Sequence, residues 1–245
     1  MRSSLRWMIL ACCTPLLEPA LLAQGVDVSA KIVMHSDKRP SNASHKDSNA
    51  SNVVVWLSPQ QPVDPKPVPS PHSPYRLLQK DKQFQPHLLV VPTGTSVEFP
   101  NADPFFHNVF SLFNGKRFDL GLYESGTTRS VKFDREGVSY IFCNIHPEMG
   151  AIVLALSTPY YAISNTDGAV TIHGVPPGSY RLHVWSENAQ LPTPNETRQV
   201  ILIPAEAPGS SFRIGEIAMQ PAMSPMGNHK NKFGEEYRPE APPPY

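Results

Sequence analysis

The chain has 245 residues, 21 basic and 21 acidic side chains, 17% charged residues and 28 prolines. That length allows one large or two small domains, and so many prolines with so few charges point to an all-β chain with proline-rich connectors. With the charge balanced there is no basic face to neutralise phosphates, so no nucleic-acid partner is expected.

Arg2 and Arg6 precede an apolar run from Trp7 to Cys13, and Ala23 offers a small residue for cleavage before Gln24. Residues 1–23 are therefore expected to be a secretory signal peptide, which places the mature chain in the periplasm or elsewhere outside the cytoplasm. Glu18 and two prolines interrupt the pattern. As a membrane span it fails, because the unbroken apolar run is far short of about 20 residues. A lipoprotein reading would use Cys12, but the apolar region before it is very short. Cleavage after Ala23 removes Cys12 and Cys13 and leaves Cys143 alone in the mature chain. A solitary thiol in an exported protein is a liability unless something such as a metal protects it.

Residues 26–34 begin with a period-two alternation and residues 53–57 are continuously apolar, so both are expected to be strands. The Ser-, Asn- and Lys-rich stretch between them reads as a long loop, and the acceptor patterns at Asn42, Asn49 and Asn195 are read as chance matches. Residues 58–75 carry seven prolines and are expected to be an extended linker. Candidate strands follow at 76–80, 88–91, 96–99, 106–112, 129–133, 138–142 and 151–156, divided by Gly-, Asn- and Pro-containing turns. Beyond Pro159 the strands shorten, with further candidates at 198–203 and 212–219. Residues 221–245 are Pro-rich and polar and are read as a disordered tail. Met219, Met223, Met226 and His229 offer copper donors, but as scattered residues they are taken as inert.

The chemistry concentrates in Cys143-Asn-Ile-His146-Pro-Glu-Met149, read with His107 and Asn108 upstream. One thiolate, two imidazoles and a thioether form the ligand set of a blue-copper electron-transfer site. Thiolate holds copper in either oxidation state, imidazole is acceptable to both, and thioether favours Cu(I). Zinc is the rival, yet structural zinc sites close with four Cys or His ligands, usually in paired Cys-x-x-Cys form, and Cys143 has no such neighbour.

The segment from Phe84 to Asp103, then His107-Asn-Val, then Cys143-x-x-His146-x-x-Met149, resembles the cupredoxins of the plastocyanin, pseudoazurin and amicyanin type over residues 76–157. The resemblance implies a Greek-key β-sandwich holding one type 1 copper, with His107, Cys143 and His146 equatorial and Met149 axial. It also implies that Asn108 ties the two ligand loops together and that electrons pass through the edge of His146, beside Pro147 and Phe105. Asp103, Phe105 and Phe106 are expected to support the site, because the loop before His107 should pack over the metal and exclude water.

A second resemblance rests on Asp167-Gly168 and the Val175-Pro-Pro-Gly178-Ser-Tyr180 turn, which are similar to carboxypeptidase regulatory-like, transthyretin-like β-sandwich domains. Five strands are few for such a sandwich, and adding the two N-terminal strands makes seven. The expected organisation is therefore a smaller, discontinuous sandwich (26–57 and 158–220) into which the copper domain (76–157) is inserted. The alternative is that the two N-terminal strands extend the copper domain. Functionally the chain is expected to be an exported one-electron carrier and not an enzyme, passing electrons to another exported redox protein. The alternative is a copper-handling or cell-envelope module in which the metal is structural.

Overall fold

The structure is a computed structural model that describes residues 25–35, 50–62, 74–112, 115–192, 199–205, 210–227 and 229–237. The expected signal peptide, most of the proline linker, the end of the tail and the acceptor patterns at Asn42, Asn49 and Asn195 lie outside them. The described residues form strands and no helix. In chain order these are β1 (Val26–Met34), β2 (Val54–Pro59), β3 (Tyr75–Arg76), β4 (Leu78–Lys80), β5 (Gln83–Gln85) and β6 (Leu88–Pro92). Next come β7 (Thr95–Pro100), β8 (His107–Ser111), β9 (Phe118–Tyr123), β10 (Thr128–Phe133), β11 (Gly137–Cys143) and β12 (Gly150–Leu156). The chain continues through β13 (Tyr161–Ile163), β14 (Ala169–Val175), β15 (Gly178–Trp185), β16 (Ala189–Gln190), β17 (Val200–Ile203) and β18 (Ser211–Pro221).

Four of the sheets face each other in pairs. The sheets β10-β7-β3 and β6-β12-β11-β8-β9 enclose one core, which includes Phe99, Val109, Phe133, Ile141, Cys143 and Met149. The sheets β14-β1-β18-β16 and β13-β2-β15-β17 enclose another, built on Val28, Ile32, Leu57, Ile172 and Tyr180. Strand β1 runs antiparallel to β14 and parallel to β18, while β2 lies between β13 and β15. Both N-terminal strands thus pair with strands made after residue 160, with β3–β12 lying between them in the chain.

Strand β12 explains why residues 151–156 are apolar without interruption. Ala151, Val153 and Ala155 point into the first core, while Leu154 and Leu156 pack with Val54, Trp56 and Trp185 of the other sheet pair. A strand buried on both faces loses the alternation that a half-exposed strand shows.

Strand β9 was not among the expected elements. Gly121 sits at φ 66°, Asp119 bonds the Gly121 amide with its own side chain, and the pairing with β8 shifts register between Asn108 and Phe110. An irregular strand of this kind carries no clean alternation, which hides it in the sequence. The expected strand 76–80 is divided at Leu77 into β3 and β4, and the last long strand extends to Pro221.

The tail also departs from expectation. Residues 222–227 and 229–237, expected to be disordered from composition, return to the outer face of the five-stranded sheet. Met226 is buried there with Phe110, Phe142 and Ile152, and His229 stacks on Phe142 at 4.0 Å between ring centroids.

In the Asp167-Gly168 turn, Gly168 has φ 74°, and its carbonyl accepts the Ile32 amide at 2.7 Å. A Cβ at this position would run into the carbonyl oxygen of Ile32. Gly168→Ala is expected to destabilise the protein by about 2–3 kcal/mol and to lower Tm by roughly 5–10 °C. Gly94, at φ 92° with open space around it, provides the comparison. Gly94→Ala should cost only backbone strain, about 1 kcal/mol, and thermal unfolding of the two variants side by side checks the difference.

Candidate metal centre

The β-ladder brings the candidate ligands together. In the antiparallel pairing of β11 with β8, Cys143 lies opposite Val109 and Phe142 opposite Phe110. His107 and Val109 share a face because strand side chains alternate, so His107 enters the core beside Cys143. One step further, the Asn144 amide donates to the Asn108 carbonyl at 2.9 Å and ties the two ligand segments together. The chain then turns over residues 144–149, with the Met149 amide donating to the His146 carbonyl (3.1 Å) and the Cys143 amide to the Met149 carbonyl (3.3 Å). That turn carries His146 back over Cys143.

Three donor atoms converge. Cys143 Sγ lies 3.6 Å from His107 Nδ1 and 3.5 Å from His146 Nδ1, and the two Nδ1 atoms are 3.1 Å apart. A point about 2.0 Å from all three atoms exists within this triangle, in the range of about 2.0–2.3 Å over which nitrogen and sulfur bind a transition metal. Among the described residues this is the one group of three His, Cys, Asp or Glu side chains close enough to share an ion.

The hydrogen bonding fixes what each atom presents. His107 Nε2–H donates to Asp103 Oδ2 at 2.8 Å, which leaves Nδ1 with a bare lone pair facing the shared point. Asp103 is itself held by the backbone amides of Asp81 (2.6 Å) and Lys82 (3.1 Å). Burial opposes its charge, but the bond from His107 and the two amides outweigh that effect and hold the carboxyl below the usual carboxylate range. Burial pushes the His107 ring downward against the pull of Asp103, so it is neutral and ready to ligate at pH 7. The Cys143 thiol is pushed upward by burial, while amides of Asn108, Ile145 and His146 directed at its sulfur oppose the shift.

A metal taking the thiolate must therefore displace a proton. Uptake at neutral pH is expected to release the Cys143 proton, with affinity rising about tenfold per pH unit below the thiol pKa. Metal titrations at a series of pH values, with proton release followed in weak buffer, check the slope.

The surroundings sort the other candidates. Met149 is fully buried in the same apolar cluster as Cys143, at the end of the ligand turn. His107 and Cys143 are 0% exposed and His146 9%, so His146 alone of the three has an outward edge. Pro147 beside it is exposed. The ring of Phe105 lies 5.3 Å from that of His107 and 5.4 Å from that of His146 and covers both. Phe106, expected to pack over the metal, is 43% exposed. The bend at residues 103–105 turns the first of the two phenyl rings inward and the second outward. Asn108 ties the loops through its main chain, while its side chain donates to Asp119 at 2.7 Å. Sequence reasoning missed Asp119, Lys232 and Tyr237. Tyr237 donates its hydroxyl to the Cys143 carbonyl at 2.9 Å, and the Lys232 amide donates to Asn144 Oδ1 at 2.9 Å.

No protein-family model matches the chain, and no curated protein matches it. Solved structures similar to it include the novel purple cupredoxin from Nitrosopumilus maritimus, 26% identical, covering 34% of this chain and 99% of its own, with a TM-score of 0.31. Another is the copper-containing nitrite reductase from Thermus scotoductus, 23% identical over 41% of this chain and 26% of its own (TM-score 0.33). A variant of amicyanin in the Cu(I) state is 18% identical over 34% of this chain and 81% of its own (TM-score 0.32).

Proposed function

We propose that the protein is an exported one-electron carrier in which His107, Cys143 and His146 would hold one copper ion, with Met149 as a fourth ligand. The observation that carries this reading is the convergence of the Cys143 sulfur and two imidazole Nδ1 atoms on one point, with the far nitrogen of His107 tied to Asp103. Bound copper would supply a site that takes up and gives back a single electron. The residues supply a donor set acceptable to both charge states and a backbone that holds it in one geometry. Phe105 keeps water from the rings, and the amides directed at Cys143 temper the thiolate charge.

Around the His146 edge, Ile145, Pro147 and Phe106 expose an apolar rim suited to brief docking of an exported redox protein. The two sheets around Cys143 form the copper unit in this reading. The other sheet pair is a transthyretin-like unit interrupted by it, with Tyr180 donating its hydroxyl to the Pro176 carbonyl at 2.8 Å across its corner. The proposed role is carriage of electrons rather than catalysis.

The test is addition of Cu(II) to the purified protein, followed by visible absorption and electron spin resonance. An intense thiolate-to-copper band in the red that bleaches on reduction, returns on oxidation and keeps its copper against a chelator supports the carrier. Release of copper on reduction points to copper handling instead, and absence of the thiolate band rejects the site.

A further inference from the structure

The C-terminal segment reaches both segments that carry the candidate ligands, through the Cys143 main chain and through Asn144 and Asn108. Tyr237 Oη donates to the Cys143 carbonyl at 2.9 Å, and the Lys232 amide donates to the Asn144 side-chain oxygen at 2.9 Å. Lys232 Nζ donates to Asp119 Oδ2 at 2.8 Å, while Asp119 Oδ1 accepts the Asn108 amide at 2.7 Å. One carboxylate therefore joins the tail to the residue that follows His107.

The segment is fixed on the sheet by Met226, buried against Phe110, Phe142 and Ile152, and by His229 stacked on Phe142. Its Nδ1 bonds the Met226 carbonyl at 2.9 Å, and Tyr237 closes edge-on against the same ring at 5.4 Å. Gly150, where the ligand turn ends, has no room for a Cβ because the Met226 methyl fills the space.

We propose that residues 222–227 and 229–237 form a clasp that sets the geometry of the metal centre, with Lys232 and Tyr237 as positioning residues acting through Asp119–Asn108 and the Cys143 carbonyl. Within the turn the Met149 amide bonds the His146 carbonyl and the Cys143 amide bonds the Met149 carbonyl, and the Asn144 amide ties it to β8. The bonds from Lys232 and Tyr237 add a restraint from outside the turn to these internal ones. The meaning of the clasp for copper rests on the function proposed above.

The test uses the full-length protein and three substitutions. Tyr237→Phe removes one hydroxyl and keeps the ring, and Lys232→Met removes the ammonium. Lys230→Met breaks the exposed Lys230–Glu236 pair of the same segment without touching either ligand segment. In the metal-free protein, the amides of Asn144 and Met149 are expected to exchange with solvent about 5–10 times faster in Tyr237→Phe and Lys232→Met, and to be unchanged in Lys230→Met. In the copper-loaded protein the first two variants should lose metal to a chelator about tenfold faster and shift the thiolate band. Exchange and metal loss equal to the unsubstituted protein in both variants would overturn the clasp. Faster exchange in a protein that never shows the thiolate band would uphold the clasp and remove the copper reading.

Discussion

Cys143→Ser is expected to abolish the thiolate-to-copper band and to weaken copper binding by more than the roughly hundredfold limit typical of changes behind the ligands. The reason is the donor set. Sulfur is the one soft anion at the shared point, and a hydroxyl there stays protonated at neutral pH and offers no comparable charge. The loss should not come from unfolding, because serine is close to cysteine in size and its oxygen can accept the amides of Asn108, Ile145 and His146 that now face the sulfur. Thermal unfolding of the metal-free variant separates the two effects: Tm should stay within a few degrees while the band disappears. A band of full strength in the variant would reject Cys143 as a ligand.

Asp103→Asn is expected to lower copper affinity about 10- to 100-fold although residue 103 is not itself a ligand. Both carboxylate oxygens are engaged, Oδ1 by the Asp81 amide and Oδ2 by the Lys82 amide and His107 Nε2. An asparagine must turn its NH₂ toward one of these sets of donors. Either orientation sets donor against donor at a buried position, which costs about 1–3 kcal/mol. If the amide nitrogen faces His107, the ring gains by moving its proton to Nδ1, the atom that should meet the metal. Nitrogen chemical shifts of the His107 ring report that change in the metal-free protein, and competition titration reports the affinity. Retention of both the Nε2–H tautomer and full affinity would show that Asp103 plays no part in presenting the ring.

The cluster of donor side chains at residues 143–149 was legible because its chemistry is local. Cysteine, histidine and methionine fall within seven residues between two apolar runs, and the distant His107 could be located by the polar interruption of an otherwise apolar strand. Asp103 could be marked as a supporting residue from its position ahead of His107, though its bond to the ring required the fold. Phe105 and Phe106 show where sequence reading runs out, since two adjacent identical side chains differ only in the direction of the bend that precedes them.

Strand β9 was hidden by Asp119 and Gly121, which break its alternation for reasons that concern its neighbours. The tail was hidden differently. Its attachments are single residues, Met226, His229, Lys232 and Tyr237, with no shared period, scattered through prolines and charges that by composition alone resemble unstructured chain. Composition averages over a segment, whereas its attachment depends on individual side chains such as Ser224, Met226, Lys232 and Tyr237.

The order in which the polypeptide is made gives the strand pairing a further consequence. Strands β1 and β2 emerge from the ribosome well before β14, β15 and β18, which cover them and come more than a hundred residues later. The stretch from β3 to β12 contains both walls of its own core and can collapse as soon as it is complete, while Val28, Ile32, Val55 and Leu57 still lack their partners. The oldest strands are thus the last to be covered, and during that delay they are the part of the nascent chain in greatest need of a chaperone.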